Sequence, residues 1–273
     1  MFGLITKFSH PTLRTFQLRV FFQFLQKRAK QVGPKLPVSA SYFKVEHLDL
    51  LRVNFKPASA KTDVIPVILK DIENTDFPEQ YIVPCINKQV LSNLNFDVLK
   101  FGCISDPYVQ TFITKLHEAK KNTDLKGPGR DEAFTVTLLD DLLRIVKFNA
   151  FPLMIRNKLN YELYIGQDPL VIAKPEFIIR LPGKAMVAVE NKHLKIVRPI
   201  TRYGESQLAI EILASGSENL RDSFDVDDYK EQTIFSMRVI STFVTFYKTV
   251  ISSKYWEELE DGLPKEQSVE IHK

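Results

Sequence analysis

The sequence predicts a mixed α+β fold, and three observations carry that reading. The composition is globular, with 44% hydrophobic and 26% charged residues in 273, which excludes an intrinsically disordered chain. From Asp131 onward the hydrophobic period switches between helical and extended in the order helix, strands, helix, strands. The extended stretches are rich in Ile, Val and Phe and are separated by short turns. Fifteen Pro and ten Gly are too few for a low-complexity or collagenous chain. A length of 273 suggests about two domains, or one with a large extension.

The elements follow in order. Residues 14–30 read as a helix, with Leu18, Phe21, Phe22 and Leu25 on one stripe and Arg19, Gln23, Gln26, Lys27 and Lys30 on the other side. Glu46 is the first acidic residue, and Lys7, Arg14, Arg19, Lys27, Arg28, Lys30, Lys35 and Lys44 precede it. Against a net charge of +4, the rest of the chain is therefore net acidic. A basic, acid-free, amphipathic start has the form of a mitochondrial-type presequence. It also suits a basic helix docked on the core, or a segment binding phosphate or anionic lipid. Gln17, Arg19 and Gln23 interrupt the apolar run, so no secretory signal is evident. An intracellular, nuclear or mitochondrial location is the expectation.

Gly33-Pro34-Lys35-Leu36-Pro37 ends this segment. Residues 42–55 hold a short alternating stretch, residues 55–85 read as loops with short strands, and Asn87–Leu99 and Tyr108–Lys121 read as helices. Gly127-Pro128-Gly129 is the best boundary signal. The expected organisation is a basic segment at 1–45, a region of unknown role at 46–126, a domain at 127–260 and a tail at 261–273. Cys85 and Cys103 are too few for a disulfide scaffold or a four-cysteine zinc site. They are expected as two free thiols, with mutual pairing as the alternative. No window approaches 18 consecutive apolar residues, so no transmembrane helix is expected.

Asp131–Phe148 reads as a helix burying Phe134, Leu138, Leu142, Ile145 and Val146, with Asp131 and Glu132 in the first turn, where negative charge is favoured. Residues 161–165 and 170–180 read as strands, Leu181-Pro182-Gly183-Lys184 as a turn and Ala185–Lys192 as a strand. Glu205–Ala214 reads as a helix ending near Gly216, Thr233–Ile251 as one or two strands, and Trp256–Leu259 as a helical turn.

The chemistry lies in Pro175-Glu176-Phe177 and Val189-Glu190-Asn191-Lys192. Alternation along a strand puts Glu190 and Lys192 on one face. If the hairpin closes with a three-residue loop, Pro182 to Lys184, Glu176 lies opposite Glu190, about 5 Å away at Cβ. With a two-residue loop the register shifts by one and the two face opposite sides, unless a bulge intervenes. Pro175 cannot donate to the ladder, so a local irregularity there is expected. Opposed carboxylates repel unless a cation or proton lies between them, and hard oxygen ligands favour Mg2+ or Mn2+. Lys192 then orients or deprotonates a water, or neutralises developing charge. The competing reading of Glu190-Asn191-Lys192 is a surface ion pair.

A helix with an acid, then Pro-Glu, then Glu-Asn-Lys, then a helix with Gln resembles the PD-(D/E)XK nuclease superfamily. The nearer resemblance is to the nuclease-like domains of fungal and oomycete Crinkler-type effector proteins, through Gly204-Glu205-Ser206-Gln207-Leu208-Ala209-Ile210-Glu211. It covers residues 127 to about 260 and leaves 1–126 unexplained. The resemblance implies a restriction-endonuclease-like core, a central mixed sheet flanked by helices, with a separate N-terminal region. It implies Glu176 and Glu190 as metal-binding acids, Lys192 as the catalytic lysine, Glu132 as a further metal-binding acid and Gln207 as orienting the lysine or contacting substrate. Glu176 stands where the family usually has Asp, one methylene shorter. Secretion into a host and action at its nucleus are further implications.

Glu132 serves equally as a helix-dipole residue, Gln207 as one of a surface pair with Glu211, and Glu205 and Glu211 are expected to be solvated. Lys192, His193, Lys195, Arg198 and Arg202 run without an acid, as a phosphate-tracking edge requires. Tyr203 is available to stack on a base. A Walker-type loop, a G-x-S-x-G elbow, a dinucleotide fingerprint and zinc-spaced histidines are absent. The expected function is Mg2+- or Mn2+-dependent hydrolysis of nucleic acid, DNA first. The rivals are a non-catalytic nuclease-fold effector or binding module, and an interaction protein acting through its basic N-terminal helix.

Overall fold

The computed structural model describes residues 36–65, 78–124, 131–166, 168–181, 184–191, 204–221 and 229–273. The expected helix at 14–30 lies outside them. Residues 36–273 form one compact unit.

The described helices are α1 (Val45–Leu50), α2 (Lys88–Leu91), α3 (Pro107–Asp124), α4 (Ala133–Ile145), α5 (Glu205–Arg221) and α6 (Ser253–Asp261). The strands are β1 (Val53–Lys56), β2 (Met154–Asn157), β3 (Tyr161–Ile165), β4 (Asp168–Ala173), β5 (Phe177–Leu181), β6 (Lys184–Asn191), β7 (Gln232–Ile240), β8 (Phe243–Ile251) and β9 (Val269–His272). Seven of them make one mixed sheet in the order β1-β9-β8-β7-β6-β5-β2, while β3 and β4 pair separately. The pairs β6–β7 and β1–β9 are parallel and the others antiparallel. The mixed α+β class holds.

Alternation sorts the sheet into two faces. Phe177, Ile179, Met237 and Val239 pack with Ile155 against Leu139 and Leu143 of α4. Ile178 and Ile234 point the other way, into the larger core built around Leu208, Ile210, Ile212 and Leu213 of α5. The β3–β4 hairpin closes over the far side of α5, burying Tyr161, Leu163 and Ile165. Its exposed backbone donors are met by the helix: Glu162 N–H donates to Glu218 Oε1 at 3.0 Å and Tyr164 N–H to Ser217 Oγ at 3.3 Å. The layers are therefore α4, the large sheet, α5 and the hairpin.

This layering corrects several expectations. Glu205 and Glu211 are buried rather than solvated, because α5 has a β-layer on both sides and no water-facing stripe. The same helix runs on past Gly216 to Arg221. Gly216 is not a cap: its Cα faces the indole of Trp256, which leaves no room for a side chain. Phe134, expected inside, is 39% exposed at the start of α4. The predicted 170–180 strand breaks at Lys174-Pro175-Glu176 into β4 and β5, as a residue without an N–H demands. Only Lys88–Leu91 of the expected 87–99 helix is α-helical. The stretch at 42–55 is α1 followed by β1, and the 261–273 tail carries β9, which joins β1 to the sheet. Cys85 and Cys103 form a disulfide rather than two free thiols.

Candidate functional site

Glu176 follows Pro175, where the chain turns from β4 into β5. Its carbonyl accepts from Lys158 N–H at 3.1 Å, which extends the β2–β5 pairing one step beyond Asn157↔Phe177. Its side chain is 21% exposed, with Lys158 Nζ 3.8 Å from Oε2. That oxygen is buried and has no hydrogen-bond donor. A buried carboxylate oxygen without a donor is costly unless something cationic or protonated meets it.

The hairpin does not close with the expected three-residue loop. Leu181 pairs with Lys184, leaving only residues 182 and 183 in the turn, and Arg180 pairs with Ala185. That register alone would put positions 176 and 190 on opposite faces. A bulge between Ile179 and Arg180 then shifts the pairing by one, giving Ile179↔Val187, Ile178↔Ala188 and Phe177↔Val189. The ladder ends at Phe177↔Val189; continued by one step, the same register would set position 176 beside position 190. The irregularity the geometry needed is present, in the middle of the hairpin rather than at Pro175.

Position 190 shares its face with Ile178 and pairs with Arg238 of β7. This is the face that α5 covers, so the first turn of α5, with Gln207, lies over the same side of the sheet. Gln207 Nε2 donates to Glu211 Oε1 at 2.7 Å, and Glu211 is fully buried. The expected pair is real, but it stands inside the protein. Glu205, also buried, accepts from Lys273 Nζ at 2.6 Å.

Glu132 stands one residue before α4, the helix on the opposite face of the sheet. Its neighbour Asp131 makes the first-turn contact, accepting from Ala133 N–H at 2.9 Å. The structure thus brings positions 176, 190 and 207 to one face and leaves Glu132 with the helix across the sheet. The Glu190 side chain, and Lys192, Lys195, Arg198, Arg202 and Tyr203 entirely, lie outside the described residues. Among the described residues no three His, Cys, Asp or Glu side chains converge.

Two cations escaped the sequence reading. Lys158, at φ +52°, is the first residue after β2 and meets Glu176. Arg238 sits beside position 190 through a parallel pairing between strands separated by α5. The sequence holds no local signal for either, since both depend on pairing across the sheet.

The fold and site define an α+β protein with acidic positions 176 and 190 flanking Phe177↔Val189, the last pair of an antiparallel hairpin within a mixed sheet. No family model matches the chain, and no curated protein is similar to it. Among the described residues no helix is long and apolar enough to cross a membrane.

Proposed function

We propose that the chain is a metal-dependent phosphodiesterase acting on nucleic acid, DNA in particular, with a restriction-endonuclease-like core of the Crinkler type. The bulged register, whose continuation past Phe177↔Val189 would set position 176 beside position 190, carries this reading. The element order supports it: an acid before a helix, Pro-Glu opening one strand, Glu-Asn at the end of the next, then a helix bearing Gln207 over the same face. The buried, donor-free Oε2 of Glu176 fits a hard cation.

Glu176 and Glu190 would hold Mg2+ or Mn2+, with Glu132 assisting. The ion, when bound, supplies positive charge at a phosphate oxygen and a more acidic water. Lys192 takes the proton from the attacking water or fixes its direction. The water oxygen bonds to phosphorus, the ester P–O bond breaks, and the leaving oxygen takes a proton. Gln207 orients Lys192, and Lys195, Arg198 and Arg202 neutralise flanking phosphates. The non-catalytic reading, a nuclease fold kept to bind nucleic acid or protein, is favoured by one observation: position 176 carries Glu, whose longer arm changes the metal geometry.

The two separate on cleavage of labelled single- and double-stranded DNA in Mg2+, Mn2+ or EDTA, by wild type and by a Glu190→Ala/Lys192→Ala variant. Cleavage lost in EDTA and in the variant is the expected result. No cleavage, with equal DNA binding by both proteins, would overturn the enzyme reading in favour of the binding module.

A further inference from the structure

Position 238 of β7 pairs directly with position 190 of β6, on the face covered by α5. Neighbouring strands are about 4.8 Å apart, so residues paired this way are immediate neighbours. Arg238 Nε is buried and has no hydrogen-bond partner. Its guanidinium carbon lies 5.9 Å from the centre of the Tyr247 ring, a weak contact for a cation. Glu205, the buried acid at the start of α5, gives one oxygen to Lys273 and accepts no hydrogen bond at the other. A guanidinium stays charged at any relevant pH, and its fork of donors matches the oxygens of a phosphate.

A forked cation with an open donor, in the register position next to one of two opposed acids, suits an anion that arrives with the substrate. We propose that Arg238 donates to a non-bridging oxygen of the scissile phosphate. This rests on the nuclease reading and adds to it a phosphate-holding residue. Arg238 gathers charge that grows as the water attacks, so its contribution falls mainly on the rate of the chemical step. The competing account, in which Arg238 only holds Glu190 in place for the metal, makes a different prediction about metal affinity.

The test measures kcat, KM and the Mg2+ concentration for half-maximal rate on double-stranded DNA, for wild type, Arg238→Gln and Arg238→Lys, with folding checked by circular dichroism. Arg238→Gln is expected to lose about 100-fold in kcat/KM, chiefly in kcat, with the Mg2+ requirement within about two-fold of wild type. Arg238→Lys, a point charge without the fork, is expected to lose about ten-fold. The lysine variant keeps a cation and a long stem, so it carries the test if the glutamine variant does not fold. Wild-type kcat/KM in a folded variant overturns the assignment while leaving the nuclease reading intact. So does a loss that excess Mg2+ restores. A wild-type protein that cleaves nothing overturns both together.

Discussion

Gly216 lies in the middle of α5, where helix propensity favours alanine by about 1 kcal/mol. The packing argues the other way. A Cβ there would stand 2.6 Å from Trp256 Cζ2, 2.8 Å from Cη2 and 3.1 Å from Ile234 Cδ1. Both neighbours are buried, Trp256 at 3% exposure and Ile234 at 0%, and neither is the loose end of a flexible chain. Overpacking of this kind costs about 1–3 kcal/mol, and two contacts inside 3 Å argue for the upper part of that range. Gly216→Ala is therefore expected to lose roughly 1–2 kcal/mol net, the clash less the propensity gain. In a Trp256→Phe background the smaller ring removes the obstruction. There the same substitution should be neutral or gain up to about 1 kcal/mol, a coupling of about 2 kcal/mol in the double-mutant cycle. The chain has one tryptophan, so urea unfolding must be followed by circular dichroism, with an unchanged m-value as the condition for comparison. A Gly216→Ala protein at least as stable as wild type, with Trp256 in place, would refute the reasoning.

Other expectations follow from buried polar groups and the covalent bridge. Lys273→Ala strands the Glu205 carboxylate, whose side chain is only 6% exposed; the loss is expected at about 1–3 kcal/mol, below that of a fully buried pair because Lys273 is partly exposed. Adding Glu205→Gln should restore most of it, and unfolding of the four proteins of that cycle checks this. Burial pushes the Tyr247 phenol up from 10.0 to about 12. Above pH about 10 the unfolded chain gives up this proton while the native one keeps it, so native protein binds more protons and stability falls as pH rises. Alkaline unfolding should therefore be less steep between those values in Tyr247→Phe, and an identical slope would dismiss the idea. With Cys85 bonded to Cys103, a thiol count in denaturant should find none before reduction and two after it; two thiols at the outset would contradict the pairing.

Much of the fold was legible because it depends on local patterning. α3 and α4 follow their apolar spacing, and the β-rich run at 233–251 resolves into β7 and β8 with a two-residue turn in which Ser241 takes φ +58°. What was not legible depends on neighbours distant in sequence. The register of Glu176 turned on one bulged residue, and residue types alone do not distinguish a two-residue loop with a bulge from a three-residue loop without one. Glu205 and Glu211 look like surface acids in a helix that, read alone, owes one face to water; the sheet side, with Lys273 on Glu205, and the hairpin, bonded to Ser217 and Glu218, lie on both sides of that helix. Arg238 could not be linked to Glu190, because parallel partners are set by how α5 crosses the sheet.

The place of β1 has a consequence in time. Among the described strands its one neighbour in the sheet is β9, joined in parallel from Val53↔Val269 to Lys56↔His272. Parallel pairing over so long a loop forms slowly. On a ribosome adding about 5–20 residues per second, β1 waits on the order of 10–40 s before its partner exists. Throughout that interval Val53 and Phe55 belong to an open edge, the kind of segment that holding chaperones bind and that aggregates when they do not. Assembly of the large sheet can begin from the β7–β8 hairpin, but its far edge is the last part of the protein to be made safe.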